Sequence, residues 1–169
     1  MEGYKKLIQL RKLKPYGWFN NFFELYPPNL IKSELKNTWF LQNPTLILKG
    51  LPNLRVLKLM SFAYVGNELV LPFGGFLRFL RLELLKLEWL HQVEQLKVKK
   101  GAMPCLRILQ INECCKLERF SDGLLRLKNL GRLELNNMFY ELIEDIQEKE
   151  GEDWDKILRI ALIDQDLNK

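Results

Sequence analysis

The chain has 169 residues, 26 of them Lys or Arg and 21 Asp or Glu, with 47% apolar, a length and balance that suit one folded domain with a sizeable core. No apolar run approaches the roughly 20 residues of a membrane helix, and the opening Met1-Glu2-Gly3-Tyr4-Lys5-Lys6 lacks the apolar stretch of a secretory leader. Three cysteines are too few for a disulfide framework, so they read as reduced thiols and a cytoplasmic setting is expected.

In chain order, residues 1–27 come first. Leu7, Leu10 and Leu13 suggest a degenerate structural unit, with Lys12 where a sixth-position apolar residue belongs. An aromatic cluster follows: Tyr16, Trp18, Phe19, Phe22, Phe23 and Tyr26. These rings either fill the first turns of the fold or form a docking surface.

Residues 28–137 hold a repeated phrase. In Leu54-Arg55-Val56-Leu57-Lys58-Leu59 the leucines fall at relative positions 1, 4 and 6. Leu82, Leu85 and Leu87 repeat the spacing 28 residues on, then Leu106, Leu109 and Ile111 after 24, then Leu130, Leu133 and Leu135 after 24. Upstream by 24, Leu30 and Leu35 fit, with Ser33 in the middle slot. An apolar residue stands three places earlier in four units, as Leu51, Phe79, Met103 and Leu127. Leucines at i and i+3 also suit a helix. Against a helix, each phrase ends in an i, i+2 pair, and Pro28, Pro44, Pro52, Pro72 and Pro104 punctuate the spacers.

Residues 138–169 change character. Residues 1–140 balance at +11 and residues 141–169 at −6. Leu142, Ile143 and Ile146 predict one apolar face of a short helix, Gly151 breaks it, and Trp154, Ile157, Leu158 and Ile160 predict a second amphipathic piece. The segment reads as an acidic helical cap and tail, fraying from about Asp164.

The spacing is that of leucine-rich repeats, L-x-x-L-x-L-x-x-N/C-x-L, with Cys114 on the N/C position of the fourth unit. The expected fold is α/β: a horseshoe-shaped, right-handed solenoid with short parallel strands on its concave face. About five units of 24–28 residues stack so that neighbours bury each other's leucines. The extra length of the unit running through Phe62 to Phe76 is expected as a loop on the convex or edge side.

The phrases around the repeats carry a further resemblance. Leu51-Pro52-Asn53-Leu54-Arg55-Val56-Leu57-Lys58-Leu59 with Ala63-Tyr64-Val65-Gly66 is one, and Gly101-Ala102-Met103-Pro104-Cys105-Leu106-Arg107 another. Cys114-Cys115-Lys116-Leu117-Glu118 with Asp122-Gly123-Leu124, and Gly151-Glu152-Asp153-Trp154, are the others. Together they resemble the C-terminal repeat region of plant nucleotide-binding, leucine-rich-repeat disease-resistance proteins of the coiled-coil class. The resemblance implies an intracellular immune receptor whose repeats recognise a pathogen effector or a host protein, and hold the receptor inactive against its own nucleotide-binding domain. No G-x-x-x-x-G-K-[ST] phosphate loop is present, so the chain reads as the sensor end alone, a fragment or truncated product. An alternative keeps the fold and makes it the substrate-recognition arm of a ubiquitin-ligase adaptor.

Chemistry is not expected. His91, the one histidine, has no recognisable nucleophile or orienting partner. Cys105, Cys114 and Cys115 form no C-x-x-C pair, so neither a metal nor a cofactor is anticipated. Asp153 and Asp155 read as solvated charges. The basic residues, densest at Lys97, Lys99 and Lys100, scatter over spacers and both faces, which argues against specific nucleic-acid recognition. The expected site is the concave face. Its outward slots read Glu34, Lys58, Lys86, Gln110, Glu134; then Lys36, Met60, Glu88, Asn112, Asn136; then Asn37, Ser61, Trp89, Glu113, Asn137. Protein binding is assigned to Lys58, Lys86, Glu88, Trp89, Gln110, Asn112 and Glu134. Trp89 is either an exposed anchor or a ring folded down on Leu90 or Val93.

Overall fold

A computed structural model describes residues 11–17, 26–48, 50–72 and 79–164. The period-2 phrases become strands. In chain order these are β1 (Lys12–Leu13), β2 (Lys32–Lys36), β3 (Val56–Met60), β4 (Glu68–Leu71), β5 (Leu84–Glu88), β6 (Gln95–Val98), β7 (Ile108–Asn112), β8 (Arg119–Phe120), β9 (Arg132–Asn136) and β10 (Ala161–Asp164). Helices are α1 (Pro44–Leu48), α2 (Tyr140–Glu148) and α3 (Glu152–Ile160), with a 3-10 turn at Asp122–Arg126. Seven strands form one parallel sheet in the order β1-β2-β3-β5-β7-β9-β10, and β4-β6-β8 form a second. This is a leucine-rich-repeat solenoid: each unit contributes one strand to the long sheet and crosses behind it before the next.

Alternation decides which face is buried. In β3, Leu57 and Leu59 are wholly buried while Lys58 points to the open face, and β5, β7 and β9 repeat the pattern. In register, Leu57, Leu85, Leu109 and Leu133 stack in one row and Leu59, Leu87, Ile111 and Leu135 in the next. Each buried leucine contributes about 1.5–3 kcal/mol. The residues three places ahead are buried too, and their carbonyls accept a turn hydrogen bond from the leading leucine, as Met103 does from Leu106 at 3.0 Å.

Two backbone devices link the units. The carbonyl before each of β1, β2, β3, β5 and β7 accepts two amides of the next unit: Glu83 O takes Arg107 N at 2.9 Å and Ile108 N at 3.0 Å. The residue after each of β2, β3, β5, β7 and β9 is left-handed, with Asn37, Ser61, Trp89, Glu113 and Asn137 at φ 51°, 33°, 59°, 53° and 50°. Its amide reaches the following strand, as Glu113 N does to Asn136 O at 3.0 Å.

The structure bears on four expectations. Leu13 pairs with Ser33, so Pro15, not Lys12, occupies the sixth position of the first unit. Ser33 is fully buried in a leucine slot, and the partly buried Tyr26 packs against the core beside it; burial pushes the Tyr26 hydroxyl up, opposed by the Ser33 side chain. Of the expected aromatic cluster, Tyr16 is exposed, while Trp18, Phe19, Phe22 and Phe23 lie outside the described residues.

The 28-residue unit is the third. Within it lies β4, and residues 73–78 of the expected loop lie outside the described residues. The chain takes 12 residues from Leu57 to Leu69, against 11 from Leu85 to Leu96 and from Leu109 to Phe120. It takes 16 from Leu69 to Leu85, against 13 from Leu96 to Leu109. One extra residue therefore falls before β4 and three after it. Asn43 Nδ2 at 2.9 Å and the Thr45 hydroxyl donate to Val70 O and cap the edge of β4.

Fourth, the acidic segment ends in a strand. Leu142, Ile143 and Ile146 of α2, and Trp154 and Ile157 of α3, are buried on the apolar faces the spacing predicts. The chain then returns to the long sheet, where Ala161 and Ile163 pair with Leu133 and Leu135. Asp164 closes this strand opposite Asn136, and the rest of the end expected to fray lies outside the described residues.

Candidate functional site

The seven residues assigned to the concave face share the open side of the long sheet. Glu34, Lys58, Lys86, Gln110 and Glu134 stand side by side in register, as do Lys36, Met60, Glu88, Asn112 and Asn136. Trp89 follows directly from β5 at the rim of that face.

Most of these charges have partners within the face. Glu34 Oε2 meets Lys14 Nζ at 2.6 Å, and its Oε1 meets Lys32 at 2.8 Å and Lys58 at 3.4 Å. Partial burial pushes the Glu34 carboxyl up, but Lys14, Lys32 and Lys58 outweigh it and bring it to about 2. Lys86 Nζ lies 2.9 Å from Glu88 Oε2. Gln110 Nε2 donates to Glu134 Oε2 at 2.7 Å, and Arg132 pairs with the same carboxylate. Charge is nonetheless uneven along the sheet. From β1 to β5 the face carries Lys12, Lys14, Lys32, Lys36, Lys58 and Lys86 against Glu34 and Glu88. From β7 to β10 it carries Arg132 against Glu134 and Asp164.

Beside the basic half stands a row of exposed rings. Trp39 and Phe62 stack with centroids 4.7 Å apart and planes 7° apart. His91 meets Phe62 edge-on at 5.9 Å, and Trp89 lies tilted on His91 at 6.1 Å. Trp39 and Phe62 are 37% exposed and Trp89 48%. Trp89 therefore keeps an exposed face and leans on His91, while Leu90 and Val93 are buried in the core. Trp39, Phe62 and Trp89 all hold positive φ, at 54°, 55° and 59°, which costs a bulky residue about 1–2 kcal/mol each.

Sequence reasoning found Trp89 and missed Trp39 and Phe62. The signal was the single extra residue ahead of β4. Equivalent places hold Thr38, Leu90, Cys114 and Met138, all buried. In the longer unit Ser61 and Phe62 both turn left-handed, Ala63 takes the buried place, and Phe62 is pushed out onto Trp39.

The rim continues past the rings. Cys115 and Phe139 stand 24 and 48 residues after His91, at the same place in their units. They border a hollow of about 810 Å³ that also includes Glu94, Glu118, Glu141 and Asp145. Cys114 occupies the N/C position, buried, with its thiol pushed up to about 12 by burial and donating to Asn112 O at 3.5 Å. No helix among the described residues is long and apolar enough to cross a membrane.

No family model matches the chain. It is 33% identical over 135 residues, 80% of its length, to the disease resistance protein RPP8 of Arabidopsis thaliana. It is 33% identical over 138 residues to the probable disease resistance RPP8-like protein 2, and 33% over 139 residues to the putative disease resistance protein At1g59780, each 82% of the chain and each from the same plant. The matched stretch is only 14–15% of the length of these relatives.

Proposed function

Because this chain is homologous to the leucine-rich-repeat region of plant disease-resistance proteins, we propose that it is a non-catalytic protein-recognition module, the sensor region of an intracellular immune receptor. The observation that carries this reading is a seven-stranded parallel sheet with one face covered and the other open. An open face of this kind binds by shape and charge over many short side chains. Lys58, Lys86, Glu88, Trp89, Gln110, Asn112 and Glu134 supply the contacts, to a pathogen effector or a host protein, in the cytoplasm. In a longer receptor the same surface holds the nucleotide-binding domain inactive. Pairing within the face keeps these side chains ordered before binding, which lowers the entropy cost of association.

The test is capture from plant extract at low and at moderate salt, with Lys86→Glu/Trp89→Ala beside the natural chain. An identified protein that is retained at moderate salt and lost in the variant supports the proposal. Capture that vanishes with salt equally for both chains overturns it, leaving only non-specific electrostatics.

A further inference from the structure

We propose that the rim formed by Trp39, Phe62, Trp89 and His91 anchors a protein segment in which acidic residues flank an apolar side chain. This rests on reading the chain as a protein-binding module, and names the partner chemistry at a place outside the central rows of the sheet.

Three observations carry it. The rings are exposed yet ordered: the Trp39–Phe62 stack and the Phe62–His91–Trp89 contacts fix a continuous apolar strip. Two of the rings also carry backbone strain beyond the left-handed residue that follows each main strand, since Trp39 and Phe62 hold φ 54° and 55°. Exposure and strain together mark a surface retained for contact. Finally, the strip borders β2, β3 and β5, whose open face carries four lysines, Lys32, Lys36, Lys58 and Lys86, against Glu34 and Glu88. One carboxylate, Glu34, serves Lys14, Lys32 and Lys58 together, so that cluster keeps excess positive charge. An acidic segment completes it while its apolar side chain covers the rings.

Stacked rings beside lysines also suit single-stranded nucleic acid. The rest of the rim argues against that. One and two units further on, the same row borders the hollow lined by Glu94, Glu118, Glu141 and Asp145, four carboxylates against one cation, Lys116. A uniform polyanion laid along the rim meets those carboxylates, whereas a peptide confines its acidic residues to the rings and presents other chemistry beyond.

The test is fluorescence anisotropy with labelled probes and the full chain. The probes are a peptide of Asp and Glu around a central Leu, its Asn and Gln counterpart, its central-Ala counterpart, and an oligo-dT. The acidic Leu peptide is expected to bind best. Binding should fall at least tenfold in Trp39→Ala/Phe62→Ala, and several-fold in Lys36→Glu, which alters charge without touching a ring. Melting curves check that both variants fold. Equal binding of the acidic and neutral peptides, or binding unchanged in the variants, overturns the proposal. Preferred binding of oligo-dT that is lost with the rings also overturns it and makes the rim a base-stacking platform. Either failure alongside a captured protein that is lost in Lys86→Glu but kept in Trp39→Ala/Phe62→Ala sinks the rim alone and leaves the open-face reading standing.

Discussion

Glu34 holds together the start of the open face. Its carboxyl sits at about 2, below the ordinary 4.5, so folding favours the ionised form. That stabilisation is complete above about pH 4.5 and is lost as pH falls through 2. Glu34→Gln is therefore expected to cost about 1 kcal/mol at neutral pH, the upper end for partly exposed pairs. Urea midpoints of the two chains should converge by pH 2; a gap that stays constant with pH would show that Glu34 acts through packing instead. Gly123 makes a different demand. A Cβ there would sit 2.3 Å from the Val98 carbonyl oxygen, a backbone atom that cannot swing away. Gly123→Ala should destabilise by about 2 kcal/mol, seen as a lower melting temperature. Gly50→Ala is the control: its added Cβ meets nothing within 4 Å, and a shift of the same size there would refute the steric account.

β10 extends the solenoid by one unit beyond the last repeated phrase. Leu158, Ala161 and Ile163 follow Leu130, Leu133 and Leu135 by 28 residues and keep positions 1, 4 and 6. Asn137 N donates to Asp164 O at 2.9 Å, the same handover as between earlier units. Removing residues 161–169 is expected to speed amide exchange at Asn137 at least tenfold and to leave the β3 and β5 amides unchanged, because repeats couple chiefly to neighbours. Acceleration spread evenly over the sheet would contradict nearest-neighbour coupling. The sequence hid this strand for a local reason. Ala161 is a weak stand-in for leucine, and Leu158 also closes the apolar face of α3, so helical spacing masked the repeat. The five main phrases were legible because every slot but that of Ser33 is filled by an aliphatic residue whose burial outweighs its local preferences. The second sheet was not: Leu69, Leu96 and Phe120 lie in line, but their short strands carry no repeated phrase. The open-face rows could be read from the leucines alone, since alternation fixes the residues between them. Phe62 could not, because its exposure depends on where one inserted residue is absorbed.

Stacking makes the middle of the molecule its point of dependence. Leu85 lies in register between Leu57 and Leu109, so its side chain helps bury both neighbours. The N-terminal units have no long helix behind them among the described residues, whereas α2 and α3 brace the C-terminal units against β8, β9 and the 3-10 turn. Leu85→Ala removes buried carbons from one of the layers joining these parts and should cost about 3–5 kcal/mol. That is a large share of the roughly 5–15 kcal/mol that holds a domain together. With the central coupling weakened, the two parts need not unfold together. Urea unfolding of Leu85→Ala is expected to broaden or split, with β2 and β3 amides exchanging at lower urea than those of β7 and β9. The same substitution at Leu133, inside the braced part, should lower the midpoint without splitting the transition. If Leu85→Ala instead gave one sharp transition at an unchanged slope, the solenoid would be a single cooperative unit, and contacts beyond nearest neighbours would have to carry its stability. In the expected case, a partner bridging the basic half of the open face and the C-terminal half would restore one transition, since binding both parts adds the coupling that the cavity removed.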